Sequence, residues 1–264
     1  MAPKAGGRSG KDAVAAARGT GRGRAGIITG VVIVVVVAVA VGIGVLVQSH
    51  HKATAAGHRI NPITSSAHTA PVSLDKAASV VTIGAPTAPV TIDVYEDFIC
   101  PVCAGFEHED GEAMRQAIVA NKLRVRYHMI NLLDERSNPP GYSMRAATAA
   151  IAIADTDPAA FASFHDSLYA DQPGEGSAGY DVAQLEQLAT DLGVPAGKVT
   201  AAINNHTYDA GVQADLDQAS DDPILSRKDP DDGSTYFGTP TVAEGKKTID
   251  VSQDNWLTTI LAGH

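Results

Sequence analysis

Two stretches of alternating apolar and polar residues predict neighbouring β-strands. The first covers residues 90–95, Val-Thr-Ile-Asp-Val-Tyr, and is rich in β-branched side chains. The second covers residues 123–130 and places its apolar residues on one side. Between them, apolar residues recur near one face from Pro101 to about Lys122, which predicts a helix. Gly111 lies inside this helix and predicts a weak or kinked middle.

The next part of the chain has the periodicity of helices. Asp157-Pro158 is typical of a helix start. The apolar residues that follow have the spacing i, i+3, i+4, i+7, i+8 of one buried stripe, formed by Phe161, Phe164, His165, Leu168 and Tyr169. A capping box of Asp181 and Gln184 predicts the start of a further helix, which Gly193 closes. More helix is expected between residues 195 and 219.

The last part of the chain returns to short strands. Residues 221–234 are acidic and contain Pro and Gly, so a solvated loop is predicted there. Residues 241–243 and 248–251 predict two strands, and residues 253–261 predict a final helix. The order strand, helix, strand, inserted helices, strand, strand, helix indicates an α/β domain.

An uncharged apolar stretch, residues 27–47, precedes this domain. Its 21 residues would span about 30 Å as a helix, which is the thickness of a bilayer core. Six basic residues lie in residues 1–26, so the positive-inside rule predicts a cytoplasmic tail, a single transmembrane helix and an extracytoplasmic body. The alternative is a cleaved signal peptide, since Ala53-Thr54-Ala55 resembles a cleavage site, but the apolar stretch is longer than a signal peptide needs.

Residues 48–78 are rich in Ala, Ser, Thr, His and Pro and predict a flexible linker, with the folded body at residues 79–264. The linker histidines could bind a metal, but their spacing is irregular and a plain linker is the simpler interpretation. The chain carries a formal net charge of −10 although its tail is basic, so the body is strongly acidic. Nucleic acid is therefore excluded as a partner, because phosphate contacts need clustered Lys and Arg.

The two cysteines of the chain form a Cys-x-x-Cys motif, Cys100-Pro-Val-Cys103, directly after a predicted strand and at the start of a predicted helix. In a redox-active dithiol, Cys100 would hold negative charge at the helix N-terminus and Cys103 would lie one turn inside. A zinc site would need further ligands, and His108 and His128 make no recognised spacing with the pair. A purely structural disulfide is the third possibility, although so short a loop stabilises little.

A second motif, Gly238-Thr-Pro-Thr-Val242, precedes an apolar strand. On the simplest interpretation, its proline marks an ordinary strand boundary. Combined with the cysteine motif it suggests a cis-proline turn that faces the dithiol, since cis peptide bonds are mostly X-Pro bonds. The backbone of Thr239, next to Pro240, could then pair with an extended substrate segment.

The segment Tyr95-Glu-Asp-Phe-x-Cys-Pro-x-Cys103 and the later Gly-Thr-Pro-Thr-Val resemble the DsbA-like branch of the thioredoxin superfamily, in its membrane-anchored actinobacterial type. The resemblance covers about residues 72–262 and implies a thioredoxin-like fold with a helical insertion at about residues 140–222. It also implies that Cys100 is the nucleophile, Cys103 the resolving thiol and Pro240 the cis-proline. The implied partners are reduced exported proteins and a membrane quinone-linked reoxidase.

This chain departs from that family pattern at two places. The inner pair Pro101-Val102 lacks the histidine of well-known oxidases, which predicts a less acidic Cys100 and a milder oxidant. The position six residues before Cys100, where the superfamily often has a buried acid, is Val94. The nearby acids Asp93, Glu96 and Asp97 are as readily explained as exposed residues at a strand end as by a role in proton transfer.

The predicted function is an extracytoplasmic thiol–disulfide oxidoreductase that forms disulfides in exported proteins. An extracytoplasmic reductase is the alternative within the same chemistry, and a non-enzymatic binding module with this fold is the alternative outside it. We expect catalysis by Cys100 and Cys103, substrate binding at Thr239 and Pro240, and neither a cofactor nor a bound metal. Since no dimerisation segment is evident, we expect a monomer.

Overall fold

The computed structural model of the protein describes residues 58–229 and 232–263. The strands are β1 (Val72–Asp75), β2 (Val80–Ile83), β3 (Val90–Glu96), β4 (Leu123–Met129), β5 (Arg227–Lys228), β6 (Thr235–Tyr236), β7 (Thr241–Glu244) and β8 (Lys247–Ile249). The helices are α1 (Pro101–Glu109), α2 (Gly111–Val119), α3 (Tyr142–Thr156), α4 (Phe161–Ala170), α5 (Val182–Asp191), α6 (Lys198–Asn204), α7 (Asp209–Asp221) and α8 (Trp256–Ala262).

The centre of the fold is a mixed sheet, which contains six strands in the described part of the chain, in the order β1-β2-β4-β3-β7-β8. β3 and β4 run parallel, from the pair Val90–Leu123 to the pair Glu96–Met129, and α1 and α2 connect them. The remaining neighbours in this sheet are antiparallel. Residues of β3 alternate between buried and half-buried positions, as the sequence pattern predicts.

The helix predicted after the cysteine motif is two helices in the structure. α1 ends at Glu109, Asp110 lies between the two helices, and α2 begins at Gly111. The Asp110 carboxylate accepts a hydrogen bond of 3.0 Å from the indole nitrogen of Trp256 in α8, which fixes the joint. A β-carbon at position 111 would lie 2.6 Å from Oε2 of Glu107 and 2.8 Å from Nη1 of Arg115, so any side chain there would require these two side-chain ends to move.

A block of helices, α3 to α7, is inserted between β4 and the final strands, as the sequence predicts. The stripe that starts at Phe161 is buried, and the capping box of Asp181 and Gln184 is present. The pattern analysis did not identify α3 as a separate helix. Its sequence is mostly Ala and Ile, and 11 of its 15 residues are buried, so it has no polar face to reveal its period.

The boundary predicted between linker and folded body at residue 79 is wrong. Residues 58–78 belong to the folded unit: β1 is an edge strand, and Ile60 is only 1% exposed. The Arg59 guanidinium makes two hydrogen bonds, 2.9 and 2.6 Å long, to Asp191 at the end of α5. The polar composition of this segment gives no sign that it packs on the fold, because backbone groups make many of its contacts. The amide of Ile63, for example, donates to the Ser167 hydroxyl at 2.9 Å.

The predicted acidic loop at residues 221–234 is also only partly a loop. β5 and β6 pair as a short antiparallel hairpin around it. The expected transmembrane helix at 27–47, the basic tail at 1–26 and the first part of the linker lie outside the described residues. Within the described ranges, no helix combines the length and the apolar character needed to cross a membrane.

Candidate active site

Cys100 lies at the point where the central strand turns into the first helix. The turn that follows β3 is closed by the backbone amide of Cys100, which donates a hydrogen bond of 3.0 Å to the carbonyl of Asp97. Cys100 is the N-cap of α1 in an extended conformation, and Pro101 occupies the first helical position, where its missing N–H removes no hydrogen bond. Its sulfur therefore faces the free N–H groups of the first turn, which favour an anion.

The two cysteines differ strongly in acidity. Both have free thiols and are buried, Cys100 at 4% exposure and Cys103 at 0%. A hydrogen bond from the Cys103 thiol, aided by the backbone N–H groups of Val102 and Cys103, lowers the pKa of Cys100 to about 6. Burial raises the pKa of Cys103 well above its ordinary value. The pair thus consists of one thiolate near neutral pH and one neutral thiol that stabilises it.

The Gly-Thr-Pro-Thr-Val motif lies opposite the dithiol. The Thr239–Pro240 peptide bond is cis, as the resemblance implies. The carbonyl oxygen of Thr239 lies 3.6 Å from Sγ of Cys100. The Arg227 guanidinium donates to the Pro240 carbonyl and, at 2.9 Å, to the Thr241 hydroxyl, so β5 holds this turn in place. Arg227 is not identifiable from the sequence, because no local pattern places it near Pro240.

A groove of about 660 Å³ runs beside the two motifs. Its lining combines apolar side chains with the cis-proline turn and includes Val102, Phe106, Pro240, Val242 and Ile249. The side chain of Val102 is unusually open for an apolar residue, at 63% exposure. An extended chain could lie in this groove with one of its sulfurs against Cys100.

Comparison with known proteins agrees with this geometry. Residues 76–226 match the protein family described as Thioredoxin. The chain belongs to the thioredoxin family. The reduced form of DsbA from Mycobacterium tuberculosis is 26% identical with a TM-score of 0.58, over 70% of this chain and 91% of that one. Reduced DsbG, a disulfide bond oxidoreductase of the same organism, is 27% identical with a TM-score of 0.56, over 69% of this chain and 85% of that one.

A serine/threonine-protein kinase of M. tuberculosis, PknE, is 30% identical over 185 residues, which cover 69% of this chain and 31% of the kinase. This thioredoxin-family chain therefore matches less than a third of the kinase. The resemblance to the DsbA-like branch is confirmed, and so is the predicted thioredoxin-like α/β fold with a helical insertion.

Of the three acids near the motif, two are fully buried in this thioredoxin-family chain. Asp97 accepts hydrogen bonds from the amides of Ile99 and Leu133 and from the Ser143 hydroxyl, at 3.0, 2.8 and 2.7 Å. Burial nevertheless raises its pKa to about 7. Asp97 thus ties the turn before Cys100 to the loop before α3 and to α3 itself.

Glu96 provides a buried acid on the same face of β3 as Val94. Strand residues two apart share a face, so positions 94 and 96 both point into the core. This period-two relation was visible in the sequence and would have predicted a buried Glu96. Its carboxylate contacts Nε2 of His165 in α4 and adds to the forces that raise the pKa of Cys103.

The histidines of the zinc alternative lie apart from the dithiol. His108 is exposed on α1. Both ring nitrogens of His128 are bonded to carboxylates, Nδ1 to Asp215 at 2.9 Å and Nε2 to Asp93 at 3.0 Å. The structure brings Glu96, Glu107 and His165 together as potential metal ligands, and this group contains neither cysteine. The structure thus provides no support for a zinc site built on the cysteine pair.

Proposed function

We propose that the protein is a thiol–disulfide oxidoreductase that forms disulfides in exported proteins. The observation that carries this proposal is the position of Sγ of Cys100, at the start of α1 and 3.6 Å from the Thr239 carbonyl oxygen. A sulfur in this place can be attacked by, and released from, a client cysteine that lies in the adjoining groove. DsbA and DsbG of M. tuberculosis, whose folds this chain resembles, support the same chemistry.

The exchange proceeds in two steps from the oxidised dithiol. A client thiolate attacks Sγ of Cys100, the bond to Cys103 breaks, and Cys103 takes up the electron pair and a proton. A second client thiolate then attacks the client sulfur of the mixed disulfide and releases Cys100 as a thiolate. The client is oxidised by two electrons and the protein is reduced by two. The lowered pKa of Cys100 favours the second step, because a more acidic thiol is a better leaving group.

The lowered pKa of Cys100 supports the oxidising direction, because it stabilises the reduced form. The pKa of Cys100, about 6, lies between the value of about 7 in thioredoxin and about 3.5 in DsbA. A stabilised thiolate favours the reduced protein and therefore makes the disulfide an oxidant. We accordingly propose an oxidant milder than DsbA, with a reduction potential between about −270 and −120 mV.

The location and partners belong to the same proposal. The charge pattern of residues 1–47 supports a single transmembrane helix with a cytoplasmic N-terminus and an extracytoplasmic catalytic body. Reduced exported proteins would be the substrates, bound at Thr239 and Pro240. A membrane quinone-linked partner would restore the disulfide after each turnover, because the chain itself provides no acceptor for the two electrons. We propose that the protein acts as a monomer.

Oxidative refolding of a reduced client protein tests the function. Cys100→Ser should abolish activity. Cys103→Ser, with Cys100 first converted to its mixed disulfide with glutathione, should exchange the glutathione for a client with a single cysteine and retain that client as a mixed disulfide, because no second thiol is left to release it. The two variants form a matched pair, since each loses one thiol. Undiminished refolding by Cys100→Ser would refute the proposal, and absence of any trapped client would point to a binding module. A reduction potential near −270 mV would instead assign a reductase.

A further inference from the structure

Three ionisable side chains meet in the interior on the side of α1 that faces α4. Glu96 comes from the end of β3, Glu107 from α1 and His165 from α4. They are 0%, 6% and 2% exposed. One potential ligand atom of each lies within 4.8 Å of the others. Three elements of the fold thus converge on a point with two carboxylates and an imidazole.

Several carboxylate oxygens at this point are buried without a hydrogen bond. They are Oε2 of Glu96 and both Oε1 and Oε2 of Glu107. The Arg115 guanidinium lies near Glu107, but its Nη1 is 3.6 Å from Oε2, beyond hydrogen-bond distance. Arg115 is bonded instead to Glu112 and Asp166, both at 3.2 Å. Buried acceptors without partners are costly and rare, so a cation bound at this point would satisfy these oxygens.

We propose that Glu96, Glu107 and His165 bind one divalent transition-metal ion of the Zn²⁺ type. Carboxylate oxygens and imidazole nitrogens are ordinary zinc ligands, and three protein ligands leave a fourth position for water. Ca²⁺ fits less well, because it takes six to eight oxygen ligands. The ion would give the unpaired oxygens a partner, and its proposed protein ligands include neither cysteine.

The surroundings of His165 have the form expected around a metal-bound histidine. Its Nε2 faces Glu96, and its Nδ1 lies 3.5 Å from Oδ1 of Asp166. Metal-binding histidines usually donate their second ring N–H to such a carboxylate, which fixes the orientation of the ring. Asp166 is therefore a positioning residue of the proposed site.

An entry path leads to the site from solvent. A pocket of about 550 Å³ is lined by Glu107, Arg115, Asp166 and Tyr169, so it reaches one proposed ligand and the positioning carboxylate. A bound ion would connect α4 of the helical insertion to β3 and α1. We therefore expect the ion to stabilise the packing of the insertion against the sheet.

The test is zinc titration of the untagged full chain that carries Cys100→Ser and Cys103→Ser, so that thiols cannot bind the metal. After chelator treatment, isothermal titration calorimetry with ZnCl₂ should show one tight site. Glu107→Gln or His165→Gln, added to this parent, should each abolish it. Asp166→Asn should weaken it by about 10–100-fold. Glu109→Gln, which changes an exposed carboxylate on the same helix, is the matched control and should retain it.

Two outcomes would overturn the proposal. One is the absence of tight binding to the parent chain, and the other is equal binding by the parent and the ligand variants, which would place the ion elsewhere. If a ligand variant does not fold, two measurements on the parent chain with both cysteines replaced still test the proposal. Zinc must raise its melting temperature, and X-ray absorption must show nitrogen and oxygen neighbours at about 2.0–2.2 Å and no sulfur. A spectrum in which zinc lacks these nitrogen and oxygen neighbours would exclude the site.

Discussion

The acidity of Cys100 should depend on the thiol of Cys103, and Cys103→Ala tests this dependence. The Cys103 thiol is the principal cause that lowers the pKa of Cys100 to about 6. A hydrogen bond to a charged group contributes about 1.5–3 kcal/mol, and one pKa unit corresponds to about 1.36 kcal/mol. Loss of this donor should therefore raise the pKa of Cys100 by about 1–2 units, to about 7–8.

The assay is the rate of alkylation of Cys100 by iodoacetamide between pH 4 and 10, measured by mass spectrometry. Only the thiolate reacts, so the midpoint of the pH profile reports the pKa. At pH 6 about half of the wild-type Cys100 is ionised, against about 1–9% for the shifted pKa values. Relative to its own plateau at high pH, Cys103→Ala should thus react about 5–50-fold more slowly at pH 6.

Cys103→Ser is the matched control, because its hydroxyl can still donate a hydrogen bond to the Cys100 thiolate. Its midpoint should lie closer to that of the wild type than the midpoint of Cys103→Ala does. A midpoint near pH 6 in Cys103→Ala would refute the reasoning. The backbone N–H groups at the start of α1 would then be sufficient to explain the acidity of Cys100.

Three further substitutions test the fold and the cis-proline turn. Ile60→Ala empties a buried site, so it should lower the free energy of unfolding in urea by about 2–5 kcal/mol. The control Ile63→Ala, at a partly exposed residue, should change this free energy by less than about 0.5 kcal/mol. Equal effects would show that residues 58–71 do not pack as described. Arg227→Ala removes the two hydrogen bonds that hold the cis-proline turn, so it should raise the KM for a client protein. Lys228→Ala, at the neighbouring exposed residue, should leave the KM unchanged. An unchanged KM in Arg227→Ala would contradict this role. Gly179 has a positive φ, and Gly179→Ala would place a β-carbon 2.2 Å from the buried ring of Tyr142. The substitution should therefore destabilise the protein by about 1–3 kcal/mol or more in thermal denaturation. An unchanged stability would contradict the described packing.

The sequence predicts those parts of the fold whose pattern is set by a single buried face. β3 is of this kind, because its residues alternate between buried and half-buried positions. In α4 most residues are buried, and its stripe is visible because large side chains recur among small and polar ones. α3 is buried on nearly all sides and therefore lacks the contrast on which periodicity depends. The split of the first predicted helix at Asp110 depends on a tertiary contact with α8, which no local pattern contains.

The N-terminal boundary was misplaced for a similar reason. Residues 58–78 have the composition of a linker, but their backbone amides and a few side chains bind the helical insertion more than 90 positions away. A fragment that starts at residue 79 would lose β1 and the buried side chain of Ile60. A soluble fragment for measurement of the reduction potential should therefore begin no later than residue 58.

At the candidate site, the sequence places Cys100 and Cys103 at a helix start because a strand, a tight turn and a helix-initiating proline follow one another along the chain. The approach of Thr239 to Cys100 spans 139 positions, and only the resemblance to a known family made it predictable. The pairing of Glu96 with His165 was not predictable in this way, because no quoted motif links the two residues. It joins the central sheet to the inserted helices across 69 positions.

The close approach of position 111 to the carboxylate of Glu107 also has a consequence for how this protein can vary during evolution. A side chain at 111 would require the carboxylate of Glu107 and the guanidinium of Arg115 to move from their present places. Relatives that keep the glutamate should therefore keep the glycine, and relatives with alanine or a larger residue at 111 should have a shorter or uncharged residue at 107. The two positions should covary as a pair although neither belongs to the cysteine motif.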